Sequence, residues 1–121
     1  MKGSCRCGAV SSEVTECPNG ESACHCYQRR RQSGHVWFSA HVGADGSSVT
    51  GALEWYEASA AAKRGFCPTR GAFLSWTARD EDTISFSPGS VDGPTGLRLE
   101  RHIFTESKGD YYDISNGVLW S

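Results

Sequence analysis

The spacing of its cysteines constrains this chain more than any other feature. Cys5 and Cys7 form a C-x-C unit in "SCRCG", Cys24 and Cys26 form a second in "ACHC", and Cys67 stands in "GFCPTRG". On an extended strand residues i and i+2 project from one face, so each unit presents two thiols side by side. Backbone separation opposes a bridge within a unit, whereas pairing between the two units remains sterically possible. In a reducing compartment, thiols grouped in this way are metal ligands or catalytic groups more often than disulfides. Cys17, before Pro18, belongs to neither unit and reads as a buried or half-buried loop thiol.

The rest of the chain supports that compartment. With 121 residues it is long enough for one core and too short for two, so a single domain over 1–121 is expected. A formal net charge of -2 gives no positive field to attract nucleic acid or an anionic membrane. No apolar run is long enough to cross a bilayer, and "MKGSCRCGAV" carries cysteines where a signal peptide needs its apolar segment. A soluble, cytoplasmic protein without a membrane partner is the expectation. Arg29, Arg30, Arg31, Lys63 and Arg64 near aromatic side chains are what a single-strand interface would use, but three arginines in a loop ordinarily form a solvated face.

Alternation near period two predicts strands from Ala9, His35, Ala52, Ala72, Asp82 and Arg101, separated by glycine, proline, serine and aspartate clusters. The predicted fold class is therefore mainly β and antiparallel. Leu53 with Trp55, Leu74 with Trp76, and Ile84 with Phe86 share strand faces. Trp37, Trp55, Trp76, Phe73, Phe86 and Phe104 are the large side chains available to a core. "YEASAAAKRG" has a helix-compatible composition but runs at once into Gly65 and Phe66, which suggests a turn or strand edge. "GADGSSVTG" and "SPGSVDGPTG" read as loops.

Two motifs look like zinc-binding units that each lack one thiol. In F-C-x-x-C-G two cysteines bend around one ion and glycine accepts the turn, but here Arg70 stands before Gly71 in place of the second cysteine. Likewise C-x-C-x-x-C would supply three ligands from Cys24 onward, but Arg29 takes the third position. Guanidinium has no lone pair for a metal and stays protonated, so it cannot substitute for a thiolate. Among His25, His35, His41 and His102, the histidines available to fill in, His25 projects to the opposite strand face from Cys24 and Cys26.

Taken in order, "GSCRCGAV", "ACHCYQRRRQSG", "KRGFCPTRGAFLSW", "SPGSVDGPTGLRLERHIF" and "KGDYYDI" resemble the glutathione-dependent formaldehyde-activating enzyme family, which includes centromere protein V-like proteins. The resemblance runs from about Gly3 to Ile114. It implies a tent-like arrangement of small antiparallel sheets and two zinc ions, one structural and one catalytic. It assigns Cys5, Cys7 and Cys67 to the structural ion, with Arg70 in the fourth position. It assigns Cys24 and Cys26 to the catalytic ion, with Arg29 in the third. The implied activity is carbon-sulfur lyase or synthase chemistry on a small-molecule thiol such as glutathione and an aldehyde, formaldehyde. Loss of two ligands predicts weakened zinc sites and impaired turnover. The alternative is a non-catalytic member that keeps the fold as a binding or structural domain. The arginines after Cys26 are also expected to favour the thiolate forms of Cys24 and Cys26.

Overall fold

Short runs of alternating side chains, broken by turn residues, fold into eleven strands in two sheets. The computed structural model describes residues 1–78 and 81–114, and the backbone of 119–120. The domain expected over 1–121 therefore includes positions outside the described residues at 79–80, 115–118 and 121. In chain order the strands are β1 (Lys2–Ser4), β2 (Val10–Val14), β3 (Asn19–Cys24), β4 (Trp37–Gly43), β5 (Ser47–Gly51), β6 (Glu54–Ser59), β7 (Ala62–Phe66), β8 (Phe73–Ala78), β9 (Thr83–Phe86), β10 (Arg101–Ile103) and β11 (Leu119–Trp120). One α-helix, α1 (Tyr27–Ser33), lies between β3 and β4.

The fold is mainly β, as predicted. The smaller sheet is antiparallel in the order β1-β2-β5, and the larger has the order β11-β10-β3-β4-β9-β8-β7-β6. The larger sheet is antiparallel from β3 to β6, but β10 runs parallel to both β3 and β11. An entirely antiparallel arrangement is corrected on that account. The segment between β9 and β10 laces the two sheets: the Asp92 amide donates to the Lys2 carbonyl at 2.8 Å, and the Glu100 amide donates to that of Glu21, also at 2.8 Å.

All six predicted strands occur, and five more segments join them, β1, β3, β5, β7 and the two-residue β11. β3, "NGESAC", contains no β-branched or aromatic residue, so alternation could not reveal it. β5 occupies most of the expected loop "GADGSSVTG" with a single valine, and β7, "AKRGF", breaks the pattern with two charged residues. β1 is only three residues long. "YEASAAAKRG" forms the turn and both sides of the β6–β7 hairpin, where Trp55 faces Gly65 and Tyr56 faces Arg64.

The core has two apolar clusters. Cys5, Val10, Cys67 and Leu74 form one, with Leu53 and Ala72 against it. Val14, Ala40, Val42 and Phe86 form the other, flanked by Ile84, Val91 and Leu97. Trp37 is buried and stacks on Phe73 with centroids 4.3 Å apart, while its indole N–H donates to Ser87 Oγ at 2.7 Å. Trp55 and Phe104 do not belong to the core, being 38% and 52% exposed. Edge position explains Trp55, because β6 has a neighbour on one side only. Phe104 sits just past β10 in the left-handed backbone region at φ 55, which turns the chain away from the sheet.

Trp37→Ala should cost about 3–5 kcal/mol of unfolding free energy, the scale for deleting a buried large aromatic. Phe104→Ala should cost less than about 1 kcal/mol because most of the side chain is already in water. Urea denaturation of the two variants measures both, and equal losses would contradict this division of the core.

Candidate functional site

Two tight turns bring the first group of thiols together. Cys5 ends the turn from β1, where the Gly8 amide donates to the Cys5 carbonyl at 3.2 Å and Gly8 takes φ 81. The turn after β7 is built alike: the Gly71 amide donates to the Cys67 carbonyl at 2.6 Å and Gly71 takes φ 78. Side chains with a Cβ rarely adopt that conformation, so glycine closes both turns. As a result Cys7 Sγ lies 3.5 Å from Cys5 Sγ and 3.6 Å from Cys67 Sγ, and all three sulfurs fall within 4.8 Å of one another.

Zinc fits this donor set. Bonds of about 2.3 Å in a tetrahedron place sulfurs about 3.8 Å apart, close to the spacing observed. The Val10 amide donates to Cys5 Sγ at 3.3 Å, and that bond leads the effects that hold the Cys5 thiol at about 6, against an ordinary value of 9.0. At Cys7 the Ala9 amide pulls down, but Cys5, burial and Cys67 together push the thiol up. Cys5 therefore loses its proton before Cys7, which suits a cluster that ionises as metal enters. Among the described residues these three form the one group of His, Cys, Asp or Glu side chains placed to share an ion. Arg70 is exposed and offers no lone pair as a fourth ligand.

The second C-x-C has a different environment. Cys24 ends β3 and is fully buried, whereas Cys26 is half-buried and caps α1, its sulfur accepting from the Arg29 amide at 3.4 Å. Gly34 closes the helix at φ 87 and donates to the Arg30 carbonyl at 2.9 Å. The expectation of a solvated arginine loop is corrected here. Arg29 lies on the inner side of α1, only 8% exposed, with its guanidinium 4.9 Å from the ring centroids of both Trp37 and Trp76.

The Arg29 charge is near enough to Cys24 to pull its thiol pKa down in part. Among the described residues no third acid or histidine is grouped with Cys24 and Cys26, and a guanidinium stands beside them instead. Nor do the arginines turn Cys24 into a ready thiolate, as expected from sequence. Burial pushes its thiol up further than Arg29 pulls it down. Low polarity around the sulfur therefore outweighs the adjacent charge.

Arg29 and Cys26 lie along a cleft of about 490 Å³ between α1 and the larger sheet. Arg64, from β7, enters it and is 6% exposed. Its Nη1 donates to Gln32 Oε1 at 3.0 Å and its Nη2 to Gln28 Oε1 at 2.6 Å. Burial, followed by repulsion from Arg29, lowers its pKa from the usual arginine value. Sequence reasoning considered Arg64 only within a basic single-strand interface and gave it no place beside the thiols. Its strand shows no clear alternation, and its register opposite Trp76 appears only in the folded sheet.

His25 points away from Cys24 and Cys26, as the strand geometry requires. Its Nδ1 pairs with Tyr112 Oη at 2.5 Å and its Nε2 with His102 Nδ1 at 2.9 Å. His35 pairs with Tyr111 at 2.9 Å. Neither these histidines nor His41 joins a thiol group among the described residues. All six cysteines are free, and Cys17 is exposed, contrary to the buried loop position expected for it. Arg29 and Arg64 are both buried, which removes them from any solvent-facing basic patch. Among the described residues no helix is long and apolar enough to cross a membrane.

Comparison with known proteins places these features. A crystal structure of a Rhodobacter sphaeroides protein is similar to this chain with a TM-score of 0.69 and 26% sequence identity, covering 100% of both chains. No curated protein matches the sequence significantly. Residues 1–107 match the family described as "Glutathione-dependent formaldehyde-activating enzyme", which spans the two glycine-closed turns, the C-x-C at the end of β3 and the arginine cleft. The chain belongs to the glutathione-dependent formaldehyde-activating enzyme family.

Proposed function

We propose that this domain acts on a small-molecule thiol such as glutathione and on formaldehyde, holds one zinc ion at Cys5, Cys7 and Cys67, and performs slow carbon-sulfur lyase or synthase chemistry in the cleft beside Cys24 and Cys26. Family membership supports the substrate classes. The observation that carries the rest is the burial of Arg29, 8% exposed on the helix that Cys26 caps, which puts a fixed cation where the family resemblance implies a second metal.

When bound, zinc at the three-thiol cluster ties the two turns together, and its binding free energy becomes folding free energy. None of Cys5, Cys7 and Cys67 lines the cleft, so this metal takes no part in the chemistry there. In the cleft a substrate thiolate gives its electron pair to the aldehyde carbon, forming the C–S bond. The carbonyl π pair moves to oxygen, which then takes a proton from water; the reverse sequence is the lyase reaction. Arg29 and Arg64 are placed to stabilise the anionic sulfur before addition and the anionic oxygen after it. Trp37, Trp76 and Phe104 keep much of the wall apolar. Equal stabilisation of both anions gives little acceleration, which is the physical reason for slow turnover. The second reading, a binding domain without turnover, draws on the same burial of Arg29. We place the protein in the cytoplasm, where its free cysteines stay reduced.

Protein purified without added metal should carry about one zinc ion per chain. Cys67→Ser should remove it, while Cys24→Ser should leave it in place; two ions per chain in the unmodified protein would contradict this assignment. Thiolate absorbance of the metal-free protein should reveal one thiol with a midpoint at about 6. A thiol whose folded pKa is depressed adds stability above its unfolded pKa and loses it as pH falls through the folded value. Metal-free protein should therefore melt lower at acidic pH than near neutrality, and an unchanged melting temperature would count against it. Arg29→Cys should raise zinc content toward two per chain and increase thiol-formaldehyde turnover at least about tenfold. Arg70→Cys should tighten the first ion without changing the rate. A wild-type rate typical of an efficient enzyme would refute the weakened-site reading, and no measurable turnover even with Arg29→Cys would favour the binding domain.

A further inference from the structure

We propose that Arg29 and Arg64 together form a binding site for the oxyanionic group of a small molecule, a carboxylate or a phosphate, within the cleft between α1 and the larger sheet. This goes beyond the thiol and aldehyde reading, because it concerns binding and holds whether or not the cleft turns anything over.

The argument begins with charge. Both side chains are more than nine-tenths buried, at 8% and 6% exposure. A buried cation is costly unless an anion or a full set of hydrogen bonds meets it. Among the described residues neither condition is met in full. No aspartate or glutamate lines the cleft. Among the described residues, the acidic groups close enough to favour the charge on Arg64 are the thiols of Cys26 and Cys24 and the phenol of Tyr56. Nε of Arg29 and Nε of Arg64 are both buried without a hydrogen-bond partner. Stacking between Trp37 and Trp76 compensates Arg29 in part, but Arg64 has only the two glutamine carbonyls.

Geometry then selects the ligand. The Trp37 and Trp76 ring centroids each lie 4.9 Å from the Arg29 guanidinium carbon, and a forked oxyanion would meet the group along its edge, in the plane of its donors. Gln28 and Gln32, one helical turn apart on α1, hold Arg64 in a fixed orientation. At about 490 Å³ the cleft is within the usual range for small-molecule sites and too small for a macromolecular surface. Ser22, Ser39 and Ser85 line it as additional hydroxyl donors, and Ile103 and Phe104 provide an apolar wall for the uncharged part of the ligand.

Tryptophan fluorescence of the full chain, titrated with sodium phosphate, succinate and the neutral analogue succinamide at constant ionic strength, tests the proposal. Trp37 and Trp76 flank Arg29 and act as reporters. At least one anion should bind with a Kd below about 1 mM, and succinamide at least about tenfold more weakly. Preference for phosphate or for succinate identifies which oxyanion the site takes. Arg64→Gln should weaken the preferred anion by about tenfold or more, and Arg64→Lys, which keeps the charge but loses the fork, should weaken it less. Arg98→Gln, at an exposed position, should change nothing. Equal binding of succinamide, no binding of either anion by about 10 mM, or undiminished binding by Arg64→Gln would overturn the proposal. The comparison with succinamide uses unmodified protein and stands even if the variants do not fold.

Discussion

Three sulfurs meet at one point, Cys7 and Cys67 being 60 residues apart in the chain, and the relation between the two sheets depends on that meeting. Cys5 and Cys7 belong to the turn joining β1 and β2 of the smaller sheet. Cys67 begins the turn joining β7 and β8 of the larger one. The thiols therefore pin one sheet to the other, with Val10, Leu74 and Leu53 packed around them. A metal there supplies a cross-link that a domain of this size uses well, because its single core buries little surface relative to the chain it must order. An ion held by three thiolates would be more open to exchange than one in a closed four-thiolate site.

The second pair of thiols shows what a local charge does when geometry is kept and chemistry is exchanged. Arg29 is held by a short helix whose first turn is capped by Cys26 and whose end is set by Gly34. Its guanidinium lies 4.9 Å from the ring centroids of Trp76 and of Trp37, which itself stacks on Phe73. Each such cation–aromatic contact contributes about 0.5–2 kcal/mol depending on exposure, which makes the arginine part of the packing as well as a charge. Removing it would leave both a hole and two unopposed indole faces.

How much of this the sequence announced varies with the physics involved. Paired cysteines and the glycine after Arg70 were readable because a metal knuckle demands specific residues at fixed spacing. The face assigned to His25 followed from strand periodicity alone. Helix α1 was missed because its residues suggested a basic loop, although Gly34 after arginines is a recognisable stop signal. Arg64 had no comparable sign. Its burial depends on two glutamines from α1 and on strand register, both long-range consequences of folding. Cys24 was misjudged for a related reason: neighbouring charges are visible in a sequence, whereas the burial that opposes them is not.

The parallel edge of the larger sheet has a consequence for how the chain assembles. Ser22 on β3 pairs with Arg101 on β10, and β4 lies on the other side of β3. During synthesis β3 and β4 can pair as soon as they leave the ribosome, while β10 is still to be made. Until it arrives, β3 is an open edge carrying Ala23, Cys24 and unpaired backbone groups. Closure of that edge is a late, high-contact-order event, and the nascent chain is most vulnerable to misassociation in the interval before it.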